Sequence, residues 1–305
     1  MGNDLAVAFC INKAMFGAFR VALGSFLRSN CGWKIFVFHE DLDPSDIEKA
    51  EIEEAKGELK FIRFSLDEFR LYRSLHGDFT TYGKFLISEL IDHDVEWCLY
   101  VDADVIVNIA LQPILMKALE ENRDRWPFMA VCGGVVNTSL DRDLYLAAGL
   151  QENSRVFNAG VMFFNTRSLR ENRLLENAHI IGRAYGEFLR SADQPIFNIL
   201  YSNCFVELPE ILNRECYPNE RKIDFLRNDE GIFHFVGSPK PWDFMGWIHQ
   251  SFGFYNEFAR SLGISMQEIR EPTFYKRLMR TFSISRSIYR LMKCRFKELF
   301  SSAIH

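Results

Sequence analysis

Leu99-Tyr100-Val101-Asp102-Ala103-Asp104-Val105-Ile106-Val107 is an apolar run broken only by two carboxylates two residues apart. Charged groups leave water at a cost of several kcal/mol unless they are paired or bind a metal. Side chains at i and i+2 of a strand share a face, about 6.5 Å apart by backbone rise. Where a strand ends and the chain bends, two such carboxylates can converge on one divalent cation. Open α/β folds place their ligands at this carboxyl edge of the sheet. A plain strand-end turn is the competing reading, and the apolar run before the pair argues against it.

Outward from this run the pattern alternates between strand and helix. Asp4–Ile11, Lys34–Phe38, Leu59–Phe64, Trp97–Val101, Phe157–Asn165 and Gly231–Val236 read as strands. Met15–Arg28 and Tyr82–Ile91 have helical spacing. Asp43-Pro44 offers an N-cap followed by Pro at the first helical position. Ser168-Leu169-Arg170-Glu171 matches a capping box. The alternation predicts an α/β domain with a mostly parallel central sheet flanked by helices. That domain is expected over residues 1–245, followed by a helical, aromatic and basic extension over 246–305.

The bulk numbers bound the function. The chain has 305 residues, 48% hydrophobic and 25% charged, with 29 Phe, enough apolar content for a large core. Seven Cys are scattered without a C-x-x-C pair, which argues against structural zinc or a disulfide framework and fits a reducing cytosol. Asn137-Thr138-Ser139 matches a glycosylation sequon and reads as a loop. No run of 18 apolar residues exists, and the N-terminus lacks the basic region and cleavage site of a signal peptide. The net charge of −5 is unevenly spread: residues 273–305 carry +7 and the rest −12.

Further motifs line up with the carboxylate pair: Tyr82-Gly83-Lys84-Phe85, Phe157-Asn158-Ala159-Gly160-Val161-Met162-Phe163-Phe164-Asn165, Asp193-Gln194, and His234-Phe235-Val236-Gly237-Ser238-Pro239-Lys240-Pro241-Trp242. Over residues 4–245 this ordered set resembles glycosyltransferase family 8, retaining enzymes of the GT-A fold that use UDP-sugars. Bacterial lipopolysaccharide and lipooligosaccharide galactosyl- and glucosyltransferases and glycogenin are among its members. The resemblance implies that Asp102, Asp104 and His234 are the metal ligands, usually to Mn²⁺, with Mg²⁺ as the alternative. Mixed oxygen and nitrogen ligands suit Mn²⁺ better than Ca²⁺. Alone, His234 would read as a satisfied core histidine.

By the same resemblance Gly237 lets the backbone approach the diphosphate and Lys240 places a point charge on it. Lys84 stands where family members often carry Arg on donor phosphate or sugar; a solvated helix residue is the other reading. Ala103 accompanies the ligands. Asn158, Ala159 and Gly160 are expected along the donor sugar, with Asp193 on its hydroxyls and Gln194 on the face opposite the leaving group. Asp193 also reads as a helix N-cap. The family's Asp and Tyr for uracil are replaced here; Asn12 is the nearest counterpart for the base edge, with Met15 or Phe16 for stacking.

In the tail, Leu278, Phe282, Ser285, Tyr289, Met292, Phe296 and Leu299 follow a helical stripe, with Arg280, Arg286, Arg290, Lys293 and Lys297 largely opposite. This is the pattern of an interfacial membrane helix, on which each basic residue adds about 1 kcal/mol near an anionic leaflet. A helix docked on its own domain is the alternative. The acidic body disfavours nucleic acid. The resulting expectation is a hexosyltransferase acting from a UDP-hexose on a glycan or lipid-linked saccharide. It would be cytoplasmic and peripheral on the inner face of the cytoplasmic membrane. A non-catalytic sugar-nucleotide-binding protein and a sugar-1-phosphate nucleotidyltransferase are the competitors. The latter should carry a Gly-rich basic loop after the first strand, and Cys10-Ile11-Asn12-Lys13-Ala14 is not one.

Overall fold

The computed structural model describes residues 5–47, 59–75, 77–122, 126–218, 230–243, 246, 249, 252–269, 289 and 292. They divide into two compact units, one within Met1–Arg214 and Glu230–His234, the other within Glu215–Asp229 and Phe235–His305. The strands are β1 (Leu5–Ile11), β2 (Lys34–His39), β3 (Leu59–Arg63), β4 (Trp97–Val101), β5 (Val105–Asn108), β6 (Phe128–Val135), β7 (Arg155–Asn165), β8 (Val206–Glu207), β9 (Arg214–Glu215) and β10 (Gly231–His234).

Seven strands form one sheet in the order β3-β2-β1-β4-β7-β6-β8, and three form a small sheet in the order β5-β10-β9. In the large sheet β1, β2, β3 and β4 run parallel, as do β6 and β8. Strand β7 is antiparallel to both of its neighbours. The mostly parallel α/β architecture is therefore as the alternation predicts.

Both faces of the sheet are covered. On β1, Ala6, Ala8 and Cys10 enter one apolar cluster, and Leu5, Val7, Phe9 and Ile11 enter the other. Such runs, apolar on both sides, are what a doubly covered sheet requires. Helix Phe16–Ser29 buries Phe19, Ala22, Leu23 and Phe26 against the second cluster. Helices Leu174–Tyr185 and Asp193–Tyr201 supply Ala178, Ile196 and Phe197 to the first.

Three local expectations change. Tyr82–Ile91 is not one α-helix: Thr80–Leu86 is a 3₁₀ segment that passes into a short α-helix, Ile87–Leu90. Ser168 is not the cap its motif suggests. The helix is Thr166–Glu171, and Asn165 caps it by accepting from the Ser168 N–H at 2.9 Å. Asp193 is not a capping residue either; it is the first residue of its helix, Ala192 holds the cap position, and the Asp193 carboxylate meets Thr81 and Lys84. The helix opened by Asp43-Pro44 is seen over residues 44–47, and its continuation lies outside the described residues. So does the tail helix, apart from Tyr289 and Met292, which are helical and exposed.

Candidate active site

The carboxyl ends of β1 and β4 lie side by side. Because β7 runs antiparallel to β4, with Val101 opposite Val161, its residues before Val161 lie beside the end of β4. The Asp102 N–H donates to the Gly160 carbonyl at 2.8 Å, fixing the point where the chain leaves the sheet. After Ala103, which is buried, the chain enters β5. There the Val107 N–H donates to Ser25 Oγ of the first long helix at 2.9 Å. Strand β10 pairs antiparallel to β5 and sets His234 opposite Val105. A residue far down the chain is thus delivered next to Asp104.

One ligand atom from each of Asp102, Asp104 and His234 lies within 4.8 Å of the others. His234 Nε2 is 3.3 Å from Asp104 Oδ1 and 3.7 Å from Asp102 Oδ2. Adjacent ligands of an octahedral ion with bonds near 2.1 Å stand about 3 Å apart. The cluster therefore fits a small divalent cation with modest closure. Two carboxylates and one imidazole leave further positions for oxygen ligands.

The imidazole is aimed by a residue that carries no motif. His234 Nδ1 lies 3.0 Å from Asn213 Oδ1. Asn213 in turn donates from Nδ2 to Asn158 Oδ1 at 3.3 Å, so its carbonyl oxygen is the group facing the ring. Nδ1 is then the donor to Asn213, which orients Nε2 toward the two carboxylates. Removing such an outer partner costs about 10–100-fold in metal affinity. Asn213→Leu is expected to weaken Mn²⁺ binding by that factor in calorimetry. An unchanged affinity would mean the ring needs no such guide.

Lys84 links this cluster to the residues expected on the sugar. Its Nζ lies 3.2 Å from Asp102 Oδ1, 2.9 Å from Asp193 Oδ2 and 3.0 Å from the Ala159 carbonyl. The carbonyl takes a hydrogen bond and the two carboxylates are held as ion pairs. The group also sits 4.8 Å over the Tyr100 ring, and the Tyr100 hydroxyl donates to Asp102 Oδ1 at 2.5 Å. Thr81 Oγ1 donates to Asp193 Oδ1. Burial by itself would lower the pKa of Lys84; the charges of Asp102 and Asp193 outweigh it and hold the ammonium protonated. Burial pushes the Asp193 carboxyl up; Lys84 and the Thr81 hydroxyl offset part of the rise, and repulsion from Asp102 adds to it.

Gln194 accepts the Ala159 N–H at 3.3 Å through Oε1. Its helix is tied to β7 by Asn198, which accepts the Phe157 N–H at 2.8 Å and donates to the Phe157 carbonyl at 2.9 Å. Asn158 Oδ1 accepts the Gly160 N–H at 2.8 Å. Gly160 lies under the cluster: a Cβ there would stand 2.2 Å from His234 Cε1 and 2.8 Å from Asp102 Oδ2.

Asp102, Ala103, Asp104, His234, Lys84, Asn158, Ala159, Gly160, Asp193 and Gln194 are all in the first unit and are joined by these contacts. Asn12 is committed locally, accepting the Met15 N–H at 2.9 Å and donating to Asp78 Oδ2 at 2.6 Å. Phe16 is only 8% exposed and packs near Phe19, so it offers no open ring face for a base. Helical spacing turns it into the core instead. Gly237 and Lys240 belong to the second unit. There Gly237 has φ +77°, and Lys240 Nζ donates to the Phe235 carbonyl at 2.7 Å.

Residues 7–246 match the sequence model of glycosyl transferase family 8. The chain belongs to this family. Among curated relatives, glycosyltransferase GlyD of Streptococcus pneumoniae is 25% identical over 237 residues, 72% of this chain. The chain spans only 26% of the length of GlyD. The lipopolysaccharide 1,3-galactosyltransferase of Salmonella typhimurium is 24% identical, over 79% of this chain and 73% of its own length. Among solved structures, galactosyltransferase LgtC with donor and acceptor sugar analogues superimposes at a TM-score of 0.69 with 20% identity, covering 84% of this chain and 95% of LgtC. The bifunctional glycosyltransferase WbbM gives 0.66 with 19% identity, covering 88% of this chain and 51% of WbbM. These likenesses establish the GT-A fold for this family 8 chain.

Proposed function

We propose that the chain is a metal-dependent, retaining glycosyltransferase. It would move a hexose, galactose or glucose, from a UDP-sugar to a glycan or lipid-linked saccharide of the cell surface, such as lipopolysaccharide. The observation that carries this reading is one connected cluster. Asp102, Asp104 and His234 converge closely enough to hold a metal ion, and Lys84 joins them to Asp193 beside Gln194.

A divalent cation held by those three residues, Mn²⁺ or Mg²⁺, would neutralise charge that grows on the departing diphosphate. The protein's own task is placement. Asp193 and Asn158 would hold sugar hydroxyls, and Gln194 would face the anomeric carbon opposite the leaving group. An amide is a poor nucleophile, so Gln194 acts as an electrostatic stabiliser. The bond from the anomeric carbon to diphosphate oxygen breaks while the acceptor oxygen attacks on the same face. The acceptor's proton passes to the departing UDP oxygen. Holding that acceptor in reach supplies much of the acceleration. Gly237 and Lys240 are assigned to the diphosphate, and Asn12 to the base edge.

The loop after β1 argues against a nucleotidyltransferase. Asn12 caps a 3₁₀ turn, Lys13–Met15, where such an enzyme needs a Gly-rich phosphate loop. The transfer chemistry is assigned to residues 1–245 and peripheral attachment to an anionic membrane to 273–305. No described helix is long and apolar enough to cross a membrane.

A panel of UDP-sugars with Mn²⁺, read as UDP release with and without acceptor, tests the reading. One donor should be consumed. Asp104→Ala or chelation should cut turnover at least ~100-fold. If every donor is left intact, or if both treatments leave turnover unchanged, the reading is wrong. Deleting 273–305 should abolish sedimentation with anionic liposomes while UDP release persists; undiminished sedimentation would discard the attachment.

A further inference from the structure

Asp193 and Gln194 follow a turn that the backbone does not favour. Ala192 is fully buried and has φ 52°, ψ −110°, a region that side chains with a Cβ avoid. Such a residue costs about 1–3 kcal/mol and persists only where its surroundings over-determine it. The turn makes tight backbone bonds of its own. The Ala192 N–H donates to the Leu189 carbonyl at 3.1 Å and the Gln194 N–H to the Ser191 carbonyl at 3.2 Å. No side chain caps the helix that follows.

What holds the turn from outside is a carboxylate 50 residues upstream. Ser191 Oγ donates to Asp141 Oδ2 at 2.7 Å. Asp141 is 3% exposed and is itself fixed at the start of helix Arg142–Ala147, where its carbonyl accepts the Tyr145 N–H at 3.0 Å. Burial pushes its carboxyl above the usual range, and the Ser191 hydrogen bond with the charges of Arg190 and Arg73 offsets part of that. A buried acid is an expensive way to fill space. Here its side-chain partner is the Ser191 hydroxyl, one residue before the strained one, with the Arg190 backbone beside it.

We propose that Asp141 and Ser191 form a positioning clamp that holds the Leu189–Ala192 turn, and so keeps Asp193 on Lys84 and Gln194 on the Ala159 N–H. Neither residue touches substrate in this account. The inference rests on the donor roles given above to Asp193 and Gln194. Its structural half stands without them: loosening the clamp must loosen the turn.

The test uses the full-length protein and four forms: wild type, Ser191→Ala, Asp141→Ala and Asp141→Asn. The asparagine retains an oxygen that accepts from Ser191. Hydrogen exchange over residues 189–196 should rise ~10-fold in the two alanine variants and stay near wild type in Asp141→Asn. With the donor identified by the UDP-sugar panel, kcat should fall ~10-fold or more in both alanine variants, with KM and Mn²⁺ affinity little changed. Asp141→Asn should restore most of it. Wild-type exchange in Ser191→Ala overturns the clamp. So does a kcat loss in Asp141→Asn equal to that in Asp141→Ala, which would make the charge the agent. Should wild type consume no donor, the parent reading fails, and the exchange measurement still decides the clamp.

Discussion

Lys84→Met should destabilise the fold by about 3–5 kcal/mol, the range for removing one partner from a buried ion pair. The side chains of Lys84 and Asp193 are each only 4% exposed, so solvent screens little of their attraction. Methionine fills similar volume but leaves Asp193 with the Thr81 hydroxyl, and leaves the Ala159 carbonyl without its donor. Asp102 is more open and retains Tyr100, so the larger share of the loss falls on Asp193. Urea melts of the two proteins give the difference directly. Two further measurements make the assignment specific. Asp193→Asn in the Lys84→Met background should recover part of the loss, since the stranded charge is then gone. On the proposed metal reading, saturating Mn²⁺ should stabilise variant and wild type alike, because binding to the native state adds stability by mass action. A melt indistinguishable from wild type would mean the bridge carries no net stability.

Gly160→Ala is expected to reduce Mn²⁺ affinity and UDP release at least ~100-fold while costing the fold only about 1–3 kcal/mol, the usual price of overpacking. The added methyl meets three groups at once, His234 Cε1 at 2.2 Å, Asp102 Oδ2 at 2.8 Å and Asn158 Oδ1 at 2.9 Å. None is the free end of a flexible chain. His234 is held by Asn213, Asp102 by Tyr100 and Lys84, and Asn158 by Gly160 and Asn213. Relief must come from moving the ring away from the carboxylates, which opens the ligand set. Manganese titration followed by electron paramagnetic resonance separates this from unfolding. A folded variant with wild-type affinity would show that the cluster tolerates expansion.

Much of the site is written in local pattern. Two acids inside an otherwise apolar run mark Asp102 and Asp104, since nothing but a ligand or partner justifies them there. Tyr100 was within reach of the same argument: it shares a strand face with Asp102 two residues on. Asn213 was not, because its role arises from tertiary approach to His234 and Asn158, and no spacing encodes that. Ser168 misled because Ser-x-x-Glu fits a cap, yet Asn165, where β7 ends, offers the same chemistry one turn earlier. Phe16 misled in the opposite way. The motif frame asks for an aromatic platform there, whereas helix periodicity assigns the position to the core. Lys84 reads two ways in the sequence, as a donor contact or as a solvated helix residue; the 3₁₀ path of Thr80–Leu86 excludes the second by turning it inward to two acids.

The antiparallel pairing of β5 with β10 has a consequence for how the protein is made. The carboxylates leave the ribosome some 130 residues ahead of His234, as their positions show. On the proposed metal reading, a chain that holds β4 and β7 without β10 would offer a divalent cation only the two carboxylates. The third proposed ligand arrives only with β10, which pairs along β5. The full proposed ligand set therefore requires the chain as far as His234, and a chain ending before residue 231 would lack the imidazole.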